Sequence, residues 1–284
     1  MESLALAEQI AGGDRVQDLT RPTRALARDQ IYRIWRTPEP VLLKVYGTPA
    51  RARRETHALH ALNGIRGVPV AVDGGMHDDM AWALFADPGE WSLGQLPDNT
   101  GNGILAGKIL RAVHQSDPST LSNLARGIDS DWIEIDFQST MRRLDRYRGR
   151  IGLDVDLYQA AKETPTFFAS PPLGSHTDPS PANLLVNENG DVTLINWQWA
   201  TLAPPEWDLT KAVWLASIHA GPLVAEGIQE GYGVVVEQEQ LARWTVYHAA
   251  MQLVYEAEQL MFDAGTDSYE DIVNQLRMAV DQAG

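Results

Sequence analysis

The chain has 284 residues, a formal net charge of −15 at pH 7 and no cysteine. Without cysteine it can form neither disulfides nor thiolate metal sites, which fits a cytoplasmic protein. The negative charge argues against a nucleic-acid partner, because a phosphate backbone needs a basic surface, whereas a cationic ligand is permitted. The sequence contains no run of about 18 apolar residues, so we expect no membrane span.

The first ninety residues are predicted to be rich in strands. Two runs of β-forming residues flank a turn at 37–40, whose two prolines favour a hairpin. Pro49 then opens a predicted helix, since proline fits the first helical turn. Asp87, Pro88 and Gly89 break the pattern, and we expect a hinge there. The predicted strands cover residues 30–36, 41–46, 68–73 and 80–86, and the predicted helix covers residues 49–62.

Beyond this hinge the chain is predicted to be mostly helical. A loop rich in proline and glycine, at 171–181, interrupts the helices. Two short strands follow the loop, at 184–186 and 192–195, around an Asn-Glu-Asn-Gly turn. The predicted helices cover residues 104–114, 132–148 and 154–162, with several more from residue 206 onward. We therefore expect an α+β protein, with a small sheet-rich lobe at 1–87 and a larger helical lobe at 88–284.

The loop from Ser175 to Asn183 and the hairpin after it carry residues suited to chemistry. Phosphoryl transfer needs a carboxylate that accepts the proton of the attacking hydroxyl, and oxygen ligands for magnesium. Asp178 can be that carboxylate, and Asn183 and Asn196 can offer amide oxygens to a metal. An aspartate and an asparagine five residues apart are a weak signal by themselves, because loops are rich in both. Their order with His176 and the hairpin strengthens the signal.

The segment from residue 176 to residue 208 resembles the aminoglycoside phosphotransferase and choline-kinase-like family, which is related in fold to the protein kinases. The family pattern is His-Gly-Asp, five residues to an asparagine, a strand that ends in Ile-Asp-Trp, and an Asp-Leu pair that opens a helix. The matching residues are His176-Thr177-Asp178, Asn183, Ile195-Asn196-Trp197 and Asp208-Leu209.

The resemblance implies a bilobal protein-kinase-like fold. It also implies an ATP- or GTP-dependent kinase that phosphorylates a hydroxyl of a small molecule with the help of Mg²⁺. By resemblance, Asp178 is the catalytic base, and Asn183 is a catalytic residue and a metal ligand together with Asn196. His176 and Asp208 support the loop. The N-terminal lobe binds the nucleotide, and the C-terminal lobe carries the catalytic loop and the acceptor site.

The N-terminal half supplies a lysine and a glutamate that fit nucleotide binding. Kinase-like folds hold the α- and β-phosphates with a strand lysine, which a helix glutamate positions. Lys44 lies in an apolar strand, and Glu55 lies on the next predicted helix. The alternatives are a solvent-facing lysine and a glutamate on a solvated helix face. By resemblance, the backbone near Phe85, Ala86 and Asp87 meets the adenine ring.

Two features depart from the family pattern. Asn196 stands where the family has a metal-binding aspartate, so this ligand brings no negative charge. Three interpretations follow: the chain is a weak or inactive homologue, another acidic residue enters the metal shell, or the asparagine is an engineered substitution. The second feature is the phosphate-covering stretch 20–29, which has no glycine. Arg21, Arg24 and Arg28 could contact phosphates instead, with solvated arginines as the alternative.

Aromatic and acidic residues after Asn196 suit an acceptor site. Trp199 or Trp207 could stack on a sugar or a cation, and Glu206 could pair with a cationic group. The alternatives are core packing for the tryptophans and helix capping for the glutamate. The C-terminal region is acidic as well, and its candidates for contacting a cationic acceptor are Glu226, Glu230, Glu256 and Asp263.

The sequence leaves the acceptor open. An aminoglycoside antibiotic, as in antibiotic resistance, is one option, and choline-like, sugar or amino-alcohol acceptors are equally allowed. The alternative function is a pseudokinase that binds a nucleotide or small ligand without turnover, because Asn196 replaces the metal-binding aspartate. A third hypothesis is a structural interaction module. We expect a cytoplasmic monomer or homodimer that binds a small molecule, with no nucleic-acid and no membrane partner.

Overall fold

The structure, a computed structural model, describes residues 2–20, 29–117, 121, 127–164, 169–260 and 269–283. An antiparallel sheet with two helices forms the N-terminal part, and helices with two small sheets form the C-terminal part. This arrangement confirms the predicted α+β class. Within the described residues, no helix is long and apolar enough to cross a lipid bilayer.

The N-terminal part is built around five strands and two helices. The strands are β1 (Arg15–Asp18), β2 (Gln30–Trp35), β3 (Val41–Val45), β4 (Ala71–His77) and β5 (Met80–Ala86). Helix α1 (Glu2–Ala11) precedes β1, and α2 (Pro49–Ala61) connects β3 to β4. The sheet order is β1-β2-β3-β5-β4, with antiparallel neighbours throughout. Helix α2 begins after Thr48, whose side chain accepts a hydrogen bond from the backbone N–H of Arg51.

Strand alternation decides which way Lys44 points. Successive side chains of a strand face opposite sides of the sheet. Leu43 packs with Leu6 of α1 in the core on one side. Leu42 and Lys44 therefore face the other side, where Leu42 lies opposite Phe85 of β5. That side borders the C-terminal part of the chain.

Strand β4 begins three residues later than the predicted start at Val68. Val68 is buried in the core instead, and Pro69 lacks the N–H group that a ladder needs. The strand continues to His77, through two glycines that weaken the sequence signal for a strand. Strand β1 was not predicted either, because four residues with three polar side chains carry no periodic pattern.

The C-terminal part combines helices with short strands. Its helices are α3 (Thr100–His114), α4 (Ser130–Tyr147), α5 (Val155–Lys162), α6 (Pro205–His219), α7 (Pro222–Tyr232), α8 (Gln238–Leu260) and α9 (Tyr269–Ala283). Its strands are β6 (Trp91–Ser92), β7 (Leu173–Ser175), β8 (Leu184–Val186), β9 (Val192–Leu194) and β10 (Thr201–Ala203). Strand β8 pairs with β6 and β9, and β7 pairs with β10. The predicted loop at 171–181 therefore contains a strand, whose three residues are too few for a sequence signal.

One hydrophobic core joins the two parts. It contains Leu42, Leu59 and Phe85 from the N-terminal part, and Ile109 and Leu194 from the C-terminal part. This core fixes the strand that carries Lys44 relative to the β8–β9 hairpin, which Asn196 follows. The predicted boundary at residue 87 remains a prediction.

Helices α3 and α7 approach each other so closely that glycines are required between them. A Cβ atom on Gly107 would lie 2.1 Å from the carbonyl oxygen of Ile228. The close contact brings the ends of the two helices together, where His114 Nδ1 and the Tyr232 hydroxyl are 2.8 Å apart. The glycines of this contact are Gly103, Gly107, Gly227 and Gly231.

Candidate active site

One buried carboxylate holds the loop that begins at His176. Asp208 of α6 accepts hydrogen bonds from the backbone N–H groups of His176 and Thr177, both at 2.7 Å. His114 Nε2 lies 3.2 Å from the same carboxylate. Burial raises the pKa of Asp208, but the hydrogen bonds from His114 and the loop outweigh it and hold the pKa below its ordinary value. We call His114, His176, Thr177 and Asp208 the loop anchor.

The His176 side chain fixes the loop from its other side. Its Nε2 donates to the carbonyl oxygen of Ile195 at 2.8 Å, and its Nδ1 accepts the backbone N–H of Asp178 at 3.1 Å. The ring packs edge-on against Trp197. Burial lowers the pKa of His176 against the opposing effect of Asp208. The imidazole is therefore neutral, as its use of one nitrogen as an acceptor requires.

Lys44 and Glu55 form a buried ion pair at 2.7 Å. The second carboxylate oxygen of Glu55 accepts the backbone N–H of Trp197 at 2.9 Å, which ties α2 to the segment after β9. Lys44 also donates to Gln198 Oε1 at 2.9 Å and lies 3.4 Å from Asp29. With exposures of 4% for Lys44 and 3% for Glu55, neither residue has the solvent-facing position that was the alternative.

A chain of hydrogen bonds runs from Lys44 to Asp178 through two amides. Lys44 Nζ donates to Asn196 Oδ1 at 3.0 Å, and Asn196 Nδ2 donates to Asn183 Oδ1 at 2.8 Å. Asn183 Nδ2 then donates to Asp178 Oδ2 at 3.0 Å. Because lysine can only donate, it fixes the orientation of each amide in turn. Asn196 has a φ of 70°, a left-handed conformation that asparagine tolerates.

Lys211 of α6 closes this chain at its other end. Its Nζ lies 2.8 Å from Asp178 Oδ1 and 3.2 Å from the carbonyl oxygen of Thr177. The Asp178 side chain is 41% exposed and that of Lys211 is 20% exposed, so the pair opens to solvent. Lys211 follows Asp208 by three residues, which places both on the helix face toward the loop. We call Lys44, Asn196, Asn183, Asp178 and Lys211 the amide chain.

Asn183 and Asn196 do not fit a magnesium site, because Mg²⁺ prefers carboxylate ligands and these two residues offer only neutral amide oxygens. Both amide oxygens already accept a hydrogen bond and carry no charge. The neighbouring carboxylate, Asp178, is paired with Lys211. In the part of the chain that the structure describes, no group of three or more acidic or histidine side chains could hold a metal.

An apolar cleft lies next to Lys44. Phe85 and Pro88 both line it, and Ala86 and Asp87 lie between them in the chain. The Asp87 carboxylate forms an ion pair with Arg33 at 2.6 Å, which leaves the hinge backbone as the group that could meet a base. An apolar slot with few polar groups suits a flat ring. The full lining is Ile31, Leu42, Lys44, Glu55, Pro69, Phe85, Pro88, Ile195 and Asn196.

The residues considered for the acceptor differ in burial. Trp199 is 48% exposed and lies under the guanidinium group of Arg51 at 5.5 Å. Glu206 accepts hydrogen bonds from the hydroxyl and the N–H of Ser170, at 2.5 and 3.2 Å. Trp207 is only 4% exposed and packs in the core, so the packing alternative fits its position. Trp199 and Glu206 remain in places that a ligand could reach.

The acidic candidates of the C-terminal region lie in two places. Glu256 of α8 follows Tyr255, whose pKa is raised by burial and by the nearby charges of Glu256 and Asp178. This part of α8 is therefore within electrostatic reach of Asp178. Glu226 and Glu230 lie on the exposed face of α7 instead. The remaining predicted residues, Arg21, Arg24, Arg28 and Asp263, lie outside the described residues.

Three residues around the path from Lys44 to Asp178 were not predicted from the sequence. Lys211 had a usable signal, its spacing of three residues from Asp208 on a helix. Gln198 lies two residues after Asn196, so its side chain was within reach of the same cleft. Asp29 precedes β2 in a stretch without a periodic pattern. Its carboxylate accepts a hydrogen bond from the backbone N–H of Gly47 at 2.9 Å, which holds it near Lys44. No feature of the sequence could have found that contact.

A family model, described as APH, Phosphotransferase enzyme family, matches residues 20–247 of the chain. The match covers well over half of the sequence and includes every residue of the loop anchor and the amide chain. No curated protein matches the chain.

Several solved structures have a similar fold. The GDP complex of aminoglycoside 2'-phosphotransferase-IIIa has a TM-score of 0.73 and 13% identity, over 99% of this chain and 98% of that chain. A thermostable mutant of aminoglycoside phosphotransferase APH(4)-Ia with AMP-PNP and hygromycin B has a TM-score of 0.72 and 13% identity, over 100% and 99%. Spectinomycin phosphotransferase APH(9)-Ia with ADP and spectinomycin has a TM-score of 0.65 and 15% identity, over 99% and 97%. These likenesses confirm the predicted kinase-like fold.

Proposed function

The chain belongs to the phosphotransferase enzyme family, and on that basis we propose that it transfers the γ-phosphate of ATP or GTP to a hydroxyl of a small molecule. The nucleotide base occupies the apolar cleft, with the backbone of Phe85, Ala86 and Asp87 beside it. Residues 1–87 form the nucleotide-binding lobe of this proposal. Residues 88–284 form the lobe that holds the catalytic loop and the acceptor.

The proposal is carried by the path between the Lys44–Glu55 ion pair and Asp178. A strand lysine held by a helix glutamate is the arrangement that positions the α- and β-phosphates in kinase-like proteins. A loop carboxylate that opens to solvent can accept the proton of a hydroxyl. Here the lysine and the carboxylate lie at the two ends of three consecutive hydrogen bonds, through Asn196 and Asn183.

At phosphorus the reaction makes one bond and breaks one, and one proton moves from the acceptor hydroxyl to Asp178. The acceptor hydroxyl gives its proton to Asp178 while its oxygen bonds to the γ-phosphorus. The bond from the γ-phosphorus to the β–γ bridging oxygen breaks, and its electron pair leaves with the nucleoside diphosphate. Lys44 holds the diphosphate, and Asn183 keeps the Asp178 carboxylate in place. His176 and Asp208 hold the backbone of the loop during this step.

Magnesium takes no part in the steps proposed here. The resemblance implies Mg²⁺ at Asn183 and Asn196, but the amide oxygens of both residues accept hydrogen bonds and carry no charge. In this proposal the two asparagines connect Lys44 to Asp178.

The acceptor of this proposal is a small molecule with a cationic group. Trp199 offers an exposed ring, and Glu206 and Glu256 offer carboxylates. Tyr255, next to Glu256, is within electrostatic reach of Asp178. Spectinomycin and hygromycin B, which are bound in two structures of similar fold, are therefore sensible first candidates. The cytoplasmic location and the monomeric or homodimeric state stay predictions.

Nucleotide binding without turnover is the second candidate function. It is favoured by the two amides, Asn196 and Gln198, that face Lys44 in the cleft. Neither amide adds negative charge where a divalent cation could assist the transfer. This candidate shares the nucleotide site with the first and differs only in the chemical step.

A transfer assay separates these candidates. The chain is incubated with [γ-³²P]ATP or [γ-³²P]GTP and a panel of aminoglycosides, spectinomycin, hygromycin B, choline, ethanolamine and sugars, and products are separated by thin-layer chromatography. We expect label on at least one acceptor with the wild type and none with Asp178→Asn. Asp79→Asn, in the exposed turn between β4 and β5, is the control. Tight nucleotide binding with no labelled acceptor would select the second candidate.

A further inference from the structure

The amide chain carries a lysine at each end. Lys44 Nζ lies at the nucleotide side, and Lys211 Nζ lies 2.8 Å from the Asp178 carboxylate. Between them stand two neutral amides and a single carboxylate. Lys44 is also paired with Glu55 and lies 3.4 Å from Asp29, so each lysine of the amide chain stands against a carboxylate. The two ammonium groups mark the two ends of the path along which an anionic ligand would lie.

A triphosphate needs positive charge along its length, because its oxygens repel one another and more charge develops on the leaving diphosphate. Kinase-like centres usually supply that charge with metal ions. Here the residues that would hold such an ion are amides engaged with each other and with Lys44. The positive charge next to Asp178 comes instead from a side chain of α6.

We propose that this cleft binds a nucleoside triphosphate without a bound divalent cation, and that Lys44 and Lys211 supply the positive charge. The proposal rests on the proposed nucleotide site. Lys44 contacts the phosphates on the nucleotide side, and Lys211 contacts the γ-phosphate. In the transfer step Lys211 keeps its proton, and no bond forms or breaks at it.

The position of Lys211 is suited to that contact. The acceptor oxygen lies between Asp178 and the γ-phosphorus, so an ammonium group 2.8 Å from the carboxylate is within reach of a γ-phosphate oxygen. The lysine is held by a second contact, to the carbonyl oxygen of Thr177 at 3.2 Å. It stands on the same helix as Asp208, which fixes the loop backbone. The ammonium group is therefore held in place before a nucleotide arrives.

The test is a calorimetric titration of the full chain with ATP and with GTP, each in 1 mM Mg²⁺ and each in excess EDTA. We expect the nucleotide that binds to have dissociation constants within about threefold of each other in the two buffers. A dissociation constant more than about tenfold weaker in EDTA overturns the proposal and leaves the proposed function standing. If neither nucleotide binds in either buffer, this proposal and the proposed function are both overturned.

Two variants make the test specific. Lys211→Met should weaken binding in EDTA by about tenfold, the usual effect of losing one charged contact to phosphate. Lys108→Met, on the exposed face of α3, is the matched control and should change nothing. An unchanged dissociation constant in folded Lys211→Met would overturn the role of this lysine.

Asn196→Asp tests the same inference in the opposite direction and tolerates the left-handed backbone at this position. This variant should acquire a magnesium dependence, with binding at least about tenfold tighter in Mg²⁺ than in EDTA. Asn189→Asp, in the exposed turn of the β8–β9 hairpin, is its control. Should Lys211→Met not fold, the proposal is still tested by the ratio of the dissociation constants in EDTA and in Mg²⁺, measured for the wild type and for Asn196→Asp. A wild type that already shows the magnesium dependence expected of the variant would contradict the proposal.

Discussion

The loop anchor and the amide chain both contact the loop that begins at His176, but they differ in where they carry charge. The loop anchor is centred on a carboxylate, and the centre of the amide chain is neutral. In the loop anchor, the fully buried carboxylate of Asp208 accepts hydrogen bonds from two backbone N–H groups and from a histidine. In the amide chain, two neutral side chains connect a lysine to a carboxylate that is partly open to solvent. The charged group that shapes the loop is present, whereas negative charge at the predicted metal position is absent.

This difference shows that separate residues determine the backbone geometry of the loop and the charge at the predicted metal position: Asp208 determines the first and Asn196 the second. Asp208 is needed to hold backbone N–H groups that would otherwise lose their partners on burial. Asn196 has the shape of an aspartate, but its Nδ2 donates to Asn183 Oδ1, a bond that a carboxylate cannot make. Changing residue 196 to aspartate therefore alters the amide chain, whereas the bonds of Asp208 in the loop anchor stay the same.

The largest effect is expected from breaking the loop anchor. Asp208→Asn should lower the free energy of unfolding by about 3–5 kcal/mol, because the amide nitrogen must face a backbone N–H or His114 in a buried site. Urea unfolding followed by circular dichroism measures it. Asp145→Asn, exposed on α4, should change stability by less than about 0.5 kcal/mol. Equal losses in the two variants would mean that Asp208 has no special part in holding the loop.

Removing the carboxylate of the amide chain should affect chemistry instead of stability. Asp178→Asn should lower the rate of phosphate transfer by about a hundredfold or more, because the hydroxyl loses its proton acceptor. Its nucleotide dissociation constant should stay within about threefold of the wild-type value. Transfer assays and calorimetry on the same preparation measure both. A variant that transfers phosphate at the wild-type rate would remove Asp178 from the role of base.

A smaller effect is expected at the nucleotide end of the amide chain. Glu55→Gln should weaken ATP or GTP binding by about tenfold, because the Lys44 ammonium loses its closest charged partner and its fixed position. Glu90→Gln, which is exposed after the hinge, serves as the matched control in calorimetry. Unchanged affinity in Glu55→Gln would show that Lys44 is held well enough by Asn196 and Gln198.

A separate effect concerns proton binding by two buried histidines. Burial lowers the pKa of His248 well below its ordinary value, and that of His176 is lowered as well. Both stay neutral in the folded chain, while the unfolded chain takes up their protons below about pH 6.5. Stability should therefore fall as the pH drops below about 6.5, by up to about 1.4 kcal/mol per pH unit for each histidine.

Thermal unfolding across pH 5–8 measures this dependence. His248→Gln should flatten the slope, because one of the two proton-excluding groups is gone. His60→Gln, on the exposed end of α2, should leave the slope as in the wild type. A wild-type melting temperature that is flat from pH 8 to pH 5 would contradict the assignment of neutral buried histidines.

The sequence predicted the parts of the site that follow from spacing along one segment. The α+β class, the strand with Lys44, the helix with Glu55 and the loop with His176, Asp178 and Asn183 all lie where the pattern placed them. Their assigned roles stay predictions. Each of these elements has periodic or turn-forming residues that signal it locally.

Contacts across the chain could not be predicted in the same way. The partnership of Lys211 with Asp178 depends on how α6 returns to the loop, 33 residues later in the sequence. The closeness of α3 and α7 depends on glycines that lie on two helices and meet only in three dimensions. The burial of Trp207 depends on packing against α4 and α8, which no local pattern contains.

The most direct measurement is a crystal structure of the chain with AMP-PNP and Mg²⁺ present together. We predict phosphate oxygens within about 3.2 Å of both Lys44 Nζ and Lys211 Nζ, with the loop anchor unchanged and no metal at Asn183 and Asn196. A magnesium ion bound by these two asparagines and the phosphates, with Lys211 still on Asp178 alone, would contradict the central claim that lysines supply the positive charge of this cleft.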